Sequence, residues 1–160
     1  MTGVPANDAP YRMIDEVTFG DDVIVQSFVN LYGCRIGAGS RVGPFVEIQR
    51  GAEIGRRCKI QSHTFVCEGV EIGDDVFIGH NVVFINDKYP KTSGPWILQP
   101  TTVEDGAAVG SGAVLLGGVR IGANALVGAG AVVTADVSAG ATVVGVPARA
   151  RAGQGAGRCA

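Results

Sequence analysis

Charge, aromatic rings and histidine are all scarce in this chain. Of its 160 residues, 18% are charged and 6% aromatic, with one tryptophan and two histidines. With so few aromatics, aliphatic side chains must fill the core. The formal net charge of -2 argues against a nucleic-acid partner, because phosphate backbones need a basic surface. No apolar run approaches the ~20 residues that cross a bilayer, so no membrane partner is expected. Residues 1–18 lack both the basic start and the apolar stretch of a signal peptide, and a cytoplasmic location is the expectation. The four cysteines, Cys34, Cys58, Cys67 and Cys159, form no CxxC pair and read as separate reduced thiols. Glycine, by contrast, is abundant at 25 residues, the mark of many tight turns.

The apolar residues recur every six positions. Phe19, Val25 and Leu31 begin the series, and the register slips by one around Gly33 and Cys34. Ile36, Val42, Ile48, Ile54, Ile60, Val66, Ile72, Ile78 and Phe84 then follow without a break. After an interruption come Val103, Val109, Leu115, Ile121, Val127 and Val133. Four residues after most of these stands a small or β-branched residue, such as Ser40, Ala52, Cys58, Thr64 or Val76. A period of six fits neither a helix nor a coiled coil. It predicts an all-β solenoid, a parallel β-helix in which three hexapeptides close one triangular coil of about 18 residues. The expected organisation is an arm over 1–18, a β-helix domain over 19–147 and a tail over 148–160. The tail is too rich in glycine and alanine to cap the coil and is expected to be disordered. The single long insertion occupies 86–102 and carries Trp96, Ile97 and Leu98, which should pack on a neighbouring coil or subunit. A loop of this length in a compact repeat points to function.

The register also places the polar residues. His63 and His80 fall at outward corners. If the insertion adds no face, Ser62, His80, Ser111, Ala129 and Pro147 stack along one edge. Above His80 that edge carries Gly110, Ser111, Gly128 and Ala129, a narrow channel where a long amide-bearing ligand such as pantetheine can pair with backbone groups. Tight turns also demand small residues, so both readings stay open here. Arg149, near the far end, suits a phosphate. Asn86 sits at the next corner over Glu68, about a face-width from His80, so the two meet only across a subunit boundary or through a folded-back loop. A loop-starting asparagine is the plainer reading of Asn86. Arg56 and Arg57 are outward, either solvated or facing a sugar carboxylate or diphosphate. Cys58 and Cys67 look structural.

The segments FVEIQ, IQSHTFVCEGVEIGDDVFIGH and INDKYP, with VVGVPAR further on, resemble the hexapeptide-repeat acyltransferases. Within them they are most similar to the nucleotide-linked 3-amino-sugar N-acetyltransferases. The resemblance spans about residues 19–150. It implies a left-handed coil, a homotrimer with its active site between subunits, acetyl-CoA as cosubstrate and coenzyme A as product. The acceptor it implies is a UDP- or dTDP-linked 3-amino sugar made for surface polysaccharide, such as lipopolysaccharide, or another glycan. Asn81 departs from the glycine many relatives carry after the histidine. On this reading Asn86 and His80 are catalytic. Glu68, His63, Asp87, Lys88 and Tyr89 bind the acceptor, and Gly110, Ser111, Gly128, Ala129 and Arg149 bind the cofactor. No metal is expected. Two other classes use such coils: γ-class carbonic anhydrases, with three histidines on zinc, and non-catalytic assembly modules.

Overall fold

The computed structural model describes residues 11–151. It is a left-handed parallel β-helix of seven coils. The first face holds Arg12–Asp15, Val29–Tyr32, Glu47–Ile48, Phe65–Val66, Val83–Phe84, Val114–Leu115 and Val132–Val133. The second runs from Thr18–Phe19 through Val70–Ile72 and Thr101–Val103 to Arg120–Ile121, and the third from Ile24–Val25 through Phe77–Ile78 to Thr142–Val144. Most strands are two residues long, and one of the two points inward. The inward columns are the period-six residues read from the sequence. Leu31, Ile48, Val66, Phe84, Leu115 and Val133 stack on the first face, and all are buried. Burying each such side chain contributes about 1.5–3 kcal/mol. The small residues four positions on fill the corners. There the Ser40 and Thr64 hydroxyls donate to the Gly55 and Gly79 carbonyls at 2.8 and 2.9 Å.

Three features sharpen the sequence reading. The register slip arises because Thr18 pairs with Arg35, seventeen residues on, whereas Arg35 pairs with Glu53, eighteen on. The coil also starts earlier than the apolar period indicates, since Arg12–Asp15 pairs with Val29–Tyr32. The period misses it because the inward residue, Ile14, stands five rather than six positions before Phe19 and is only partly buried. At the other end Thr142–Val144 pairs with Leu126–Val127 at an offset of sixteen, and Arg149–Ala150 folds back antiparallel on it. In that register Val143 follows Val127 two residues sooner than an eighteen-residue step gives, so Pro147 does not fall in line after Ala129. The first ten residues of the expected arm and the last nine of the tail lie outside the described residues, as does Cys159. No helix among the described residues is long and apolar enough to cross a membrane.

Candidate active site

Each coil turns at three corners, and at most of them one residue adopts a left-handed backbone. At the corner between third and first faces these are Phe28, Phe45, His63, Asn81, Gly112 and Gly130, with φ between 55° and 72°. The residue just before each forms the outward edge. The insertion leaves between Phe84 and Thr101 and adds no face, because Phe77 still pairs with Ala108. Ser62, His80, Ser111 and Ala129 therefore do follow one another, one per coil. The loop itself is 86–100, since the next strand already begins at Thr101.

His80 is exposed but fixed. Its Nδ1 lies 2.8 Å from the Ser62 hydroxyl, its backbone N–H donates to Ser111 Oγ at 3.1 Å, and its carbonyl accepts from Gly112 N–H at 2.8 Å. Nε2 is thus the nitrogen left to meet a ligand. If the hydroxyl donates to Nδ1, Nε2 carries the proton; if it accepts, Nε2 offers a lone pair. Ser62 stood on the predicted edge, but its tie to His80 became visible only in side-chain geometry. His63, one coil below, points along the same corner and stacks on Phe45 with ring centroids 4.8 Å apart.

Above His80 the glycines have a packing reason. A Cβ on Gly110 would stand 2.4 Å from the Ala129 nitrogen, and one on Gly128 2.7 Å from Val144 Cγ1. Gly110 and Gly128 let coils touch, while Ser111 and Ala129 form the exposed rim. Among the described residues the N–H groups of Ser111 and Ala129 have no hydrogen-bond partner, so the rim offers two donors in line above the imidazole. Arg149 is exposed, and its guanidinium donates to the Ala148 carbonyl at 2.9 Å.

Asn86 stands at the corner between first and second faces, over Glu68 as the spacing predicts. Its side-chain N–H donates to the Glu68 carbonyl at 3.0 Å, while its own carbonyl accepts from Gln99 N–H at 3.2 Å. This sets the side-chain Oδ1 free to accept. Glu68 itself is exposed, with its N–H on Gln49. The loop base is pinned: Gln99 Oε1 accepts from Lys88 N–H, Gly118 N–H donates to the Gln99 carbonyl, and Leu98 lies on Gly69. Asp87 closes a turn by accepting from Tyr89 N–H at 2.9 Å. Leu98 thus packs on its own chain, but Trp96 and Ile97 stay 54% and 80% exposed. His80 and Asn86 lie at different corners with the Val83–Phe84 strand between them, so one chain does not join them.

Arg56 and Arg57 pair with Asp74 and Asp75 of the next coil at 2.9 and 2.6 Å. The Arg56 backbone N–H and guanidinium hold the Asp74 carboxyl below its usual range, and Arg57 does the same for Asp75. The eighteen-residue spacing of these pairs is one coil, a signal present in the sequence. Cys34, Cys58 and Cys67 are free and buried. Burial pushes the Cys34 and Cys67 thiols up to about 11, which disfavours the nucleophilic thiolate. Among the described residues no group of three His, Cys, Asp or Glu side chains is placed to hold a metal. A hollow of about 850 Å³ runs along the second face past Arg35, Glu53 and Glu71. It is remote from the histidine edge.

The bacterial transferase hexapeptide family, built of six repeats, matches residues 33–68, 51–86 and 100–135. Among solved structures, an N-acyltransferase from Bacillus cereus bound to dTDP and coenzyme A superposes with a TM-score of 0.77 at 20% identity, over 84% of this chain and 82% of that one, which speaks to the fold. A hexapeptide-repeat acetyltransferase from Vibrio cholerae with acetyl-coenzyme A gives 0.66 at 29% identity, over 74% and 69%. The perosamine N-acetyltransferase of Caulobacter crescentus, with CoA and GDP-perosamine, gives 0.63 at 26% identity, over 88% and 58%. The bifunctional protein GlmU of Acidithiobacillus ferrooxidans is 28% identical over 132 residues, 64% of this chain but 29% of that protein. The chain thus spans under a third of the length of the curated relatives it matches.

Proposed function

The chain belongs to the bacterial hexapeptide-repeat transferases, and from that premise we propose that it is an acetyl-CoA-dependent N-acetyltransferase acting on the 3-amino group of a nucleotide-linked sugar. The observation that carries this reading is His80, fixed between Ser62 and Ser111 at the foot of a rim whose Ser111 and Ala129 N–H groups are unpaired. Pantetheine laid along that rim, with Arg149 toward its phosphate end, brings the thioester down to the imidazole. Relatives of 26% and 29% identity carry CoA and GDP-perosamine or acetyl-CoA in their structures, which supports the donor and the sugar-nucleotide class of acceptor.

The chemistry asks little of the protein beyond alignment. A sugar amine beside electron-withdrawing oxygens titrates nearer the ~8 of an α-amino group than lysine does, so part of it is neutral at physiological pH. The Asn86 Oδ1 accepts one amine hydrogen and directs the lone pair at the thioester carbonyl. As the C–N bond forms, a rim N–H stabilises the oxyanion. The C–S bond then breaks. His80 Nε2 takes the ammonium proton and delivers it to the departing thiolate, giving the amide and free coenzyme A. Glu68, His63, Asp87, Lys88 and Tyr89 surround the acceptor. Because His80 and Asn86 occupy separate corners, we assign them to neighbouring chains of a homotrimer. The exposed Trp96 and Ile97, and the half-buried outer residues Phe65, Val83, Val114 and Val132 of the first face, support a covering copy. The proposed setting is the cytoplasm, supplying sugars for surface polysaccharide.

The test is release of coenzyme A thiol from acetyl-CoA with UDP- and dTDP-linked 3-amino sugars, using 4-amino isomers as controls. Fast release with one 3-amino sugar, cut at least a hundredfold by Asn86→Ala, is the expected result. Unchanged turnover in Asn86→Ala removes it from the mechanism, and silence with every acceptor overturns the reading.

A further inference from the structure

The edge that carries His80 changes character at that coil. Above it the left-handed corner positions are Gly112 and Gly130. Below it they are Phe45, Phe28 and Tyr11, continuing from His63, all with φ between 59° and 74°. Tyr11, Phe28, Phe45 and His63 form one stack, with centroids 5.4, 5.0 and 4.8 Å apart and the first three rings within 4° of parallel. Phe28 and Phe45 remain 50% and 51% exposed. A bulky side chain in the left-handed region is an outlier. The turn does not require it, because the other corners use Gly, Asp and Asn at most of the equivalent positions. Strain of this kind persists where something other than the turn benefits from it.

A second observation comes from the third face. Four residues before Phe45 and His63 stand Arg41 and Lys59, directly paired in register. Both are exposed, and neither makes an ion pair among the described residues. Like charges set opposite each other repel, and an anion between them removes that penalty. The equivalent positions above His80 are Ala108 and Leu126, so cations and rings occur together, and only on the lower side.

We propose that this aromatic ladder and the Arg41–Lys59 pair form the seat of a nucleoside diphosphate, the nucleotide handle that the acceptor sugar keeps through the reaction. The inference rests on the acetyltransferase reading only for the word acceptor. The base lies across the exposed ring edges of Phe45 and Phe28, face to edge, a favoured aromatic geometry. The diphosphate bridges Arg41 and Lys59. The sugar then extends up the edge to His80, meeting the thioester that comes down from the other side. The ladder from His63 to Tyr11 spans three coil steps, about 14 Å at the usual strand spacing, long enough for a nucleotide. One edge thus has two half-sites, donor above and acceptor below.

The experiment titrates UDP, dTDP and GDP calorimetrically into the full chain, into Phe45→Asn and into Arg41→Ala/Lys59→Ala, with coenzyme A titrated in parallel. Asparagine suits the left-handed corner, so Phe45→Asn keeps the fold. The wild-type protein should bind at least one nucleotide. Each variant should weaken it tenfold or more, with coenzyme A affinity changed less than twofold. Equal nucleotide binding by all three proteins, or none by the wild type, overturns the proposal. So does loss of assembly mass in Phe45→Asn by sedimentation, which makes the ladder a contact between copies. Ladder-dependent nucleotide binding without thiol release leaves this site standing and removes the acetyltransferase reading. Thiol release with an unchanged acceptor KM in Phe45→Asn does the reverse.

Discussion

Gly79→Ala probes how closely the coils must approach beside His80. The added Cβ would stand 2.5 Å from the Ser111 nitrogen, 2.8 Å from its Cα and 2.9 Å from the Gly110 carbonyl carbon. Ordinary carbon contacts lie near ~3.5–4.0 Å, so roughly 1 Å must be found. All three atoms are backbone of the next coil, held there by the 2.8 Å bond from Gly79 N–H to the Val109 carbonyl. Overpacking costs about 1–3 kcal/mol, and loosening that bond about 1 more. The total, about 2–4 kcal/mol, corresponds to a fall in Tm of roughly 5–15 °C for a chain of this size. Thermal melting followed by circular dichroism reads it, with Lys91→Ala on the exposed loop as the control expected within about 0.5 kcal/mol of wild type. A Gly79→Ala protein melting within ~2 °C of wild type would refute the close stacking from which the His80 edge is built.

Other outcomes follow from single features. Thr101 is 1% exposed and its hydroxyl has no partner, unlike Ser40 and Thr64 in comparable inward slots. Thr101→Val should therefore raise stability by about 1 kcal/mol in urea unfolding, and a loss would show a hidden partner. Asp74 and Asp75 are held below the usual carboxylate range in the folded chain, so the unfolded chain binds more protons near pH 4. Their stabilisation is present above the unfolded value of ~4 and is lost as pH falls through the folded values. Tm should drop on acidification below about pH 4, less steeply in Asp75→Asn; an identical acid limb would discount the pair. In a Cys159→Ser protein the thiols of Cys34, Cys58 and Cys67 should react with a disulfide reagent only as fast as the fold opens, and an immediate burst would contradict their burial.

Much of the coil was legible because inward residues and corners share one short period. The stacking of Ser62, His80 and Ser111 needed only that period and the assumption that the insertion adds no face. The Asn86 position over Glu68 followed likewise. The slip around Gly33 and Cys34 was legible too, and it is the seventeen-residue step before Arg35. What the period does not carry is the sixteen-residue step after Leu126, which displaces Pro147 from the predicted edge. Nor does the period show which side chains compete for a partner. Arg56 and Arg57 read as free outward charges until Asp74 and Asp75, one coil on, are seen to hold them. The aromatic ladder was present as a spacing of seventeen and eighteen residues among Tyr11, Phe28, Phe45 and His63. The period puts His63 at an outward corner, but which side chains stack there is a matter of side-chain geometry that it does not carry.

The measurement that tests the account most directly mixes two dead chains. His80→Ala and Asn86→Ala should each lose thiol release alone. If one site draws His80 from one subunit and Asn86 from its neighbour, co-assembled 1:1 mixtures should regain about a quarter of wild-type turnover, the chance that a random neighbour pair supplies both intact residues. A mixture as inactive as its components would contradict a shared site.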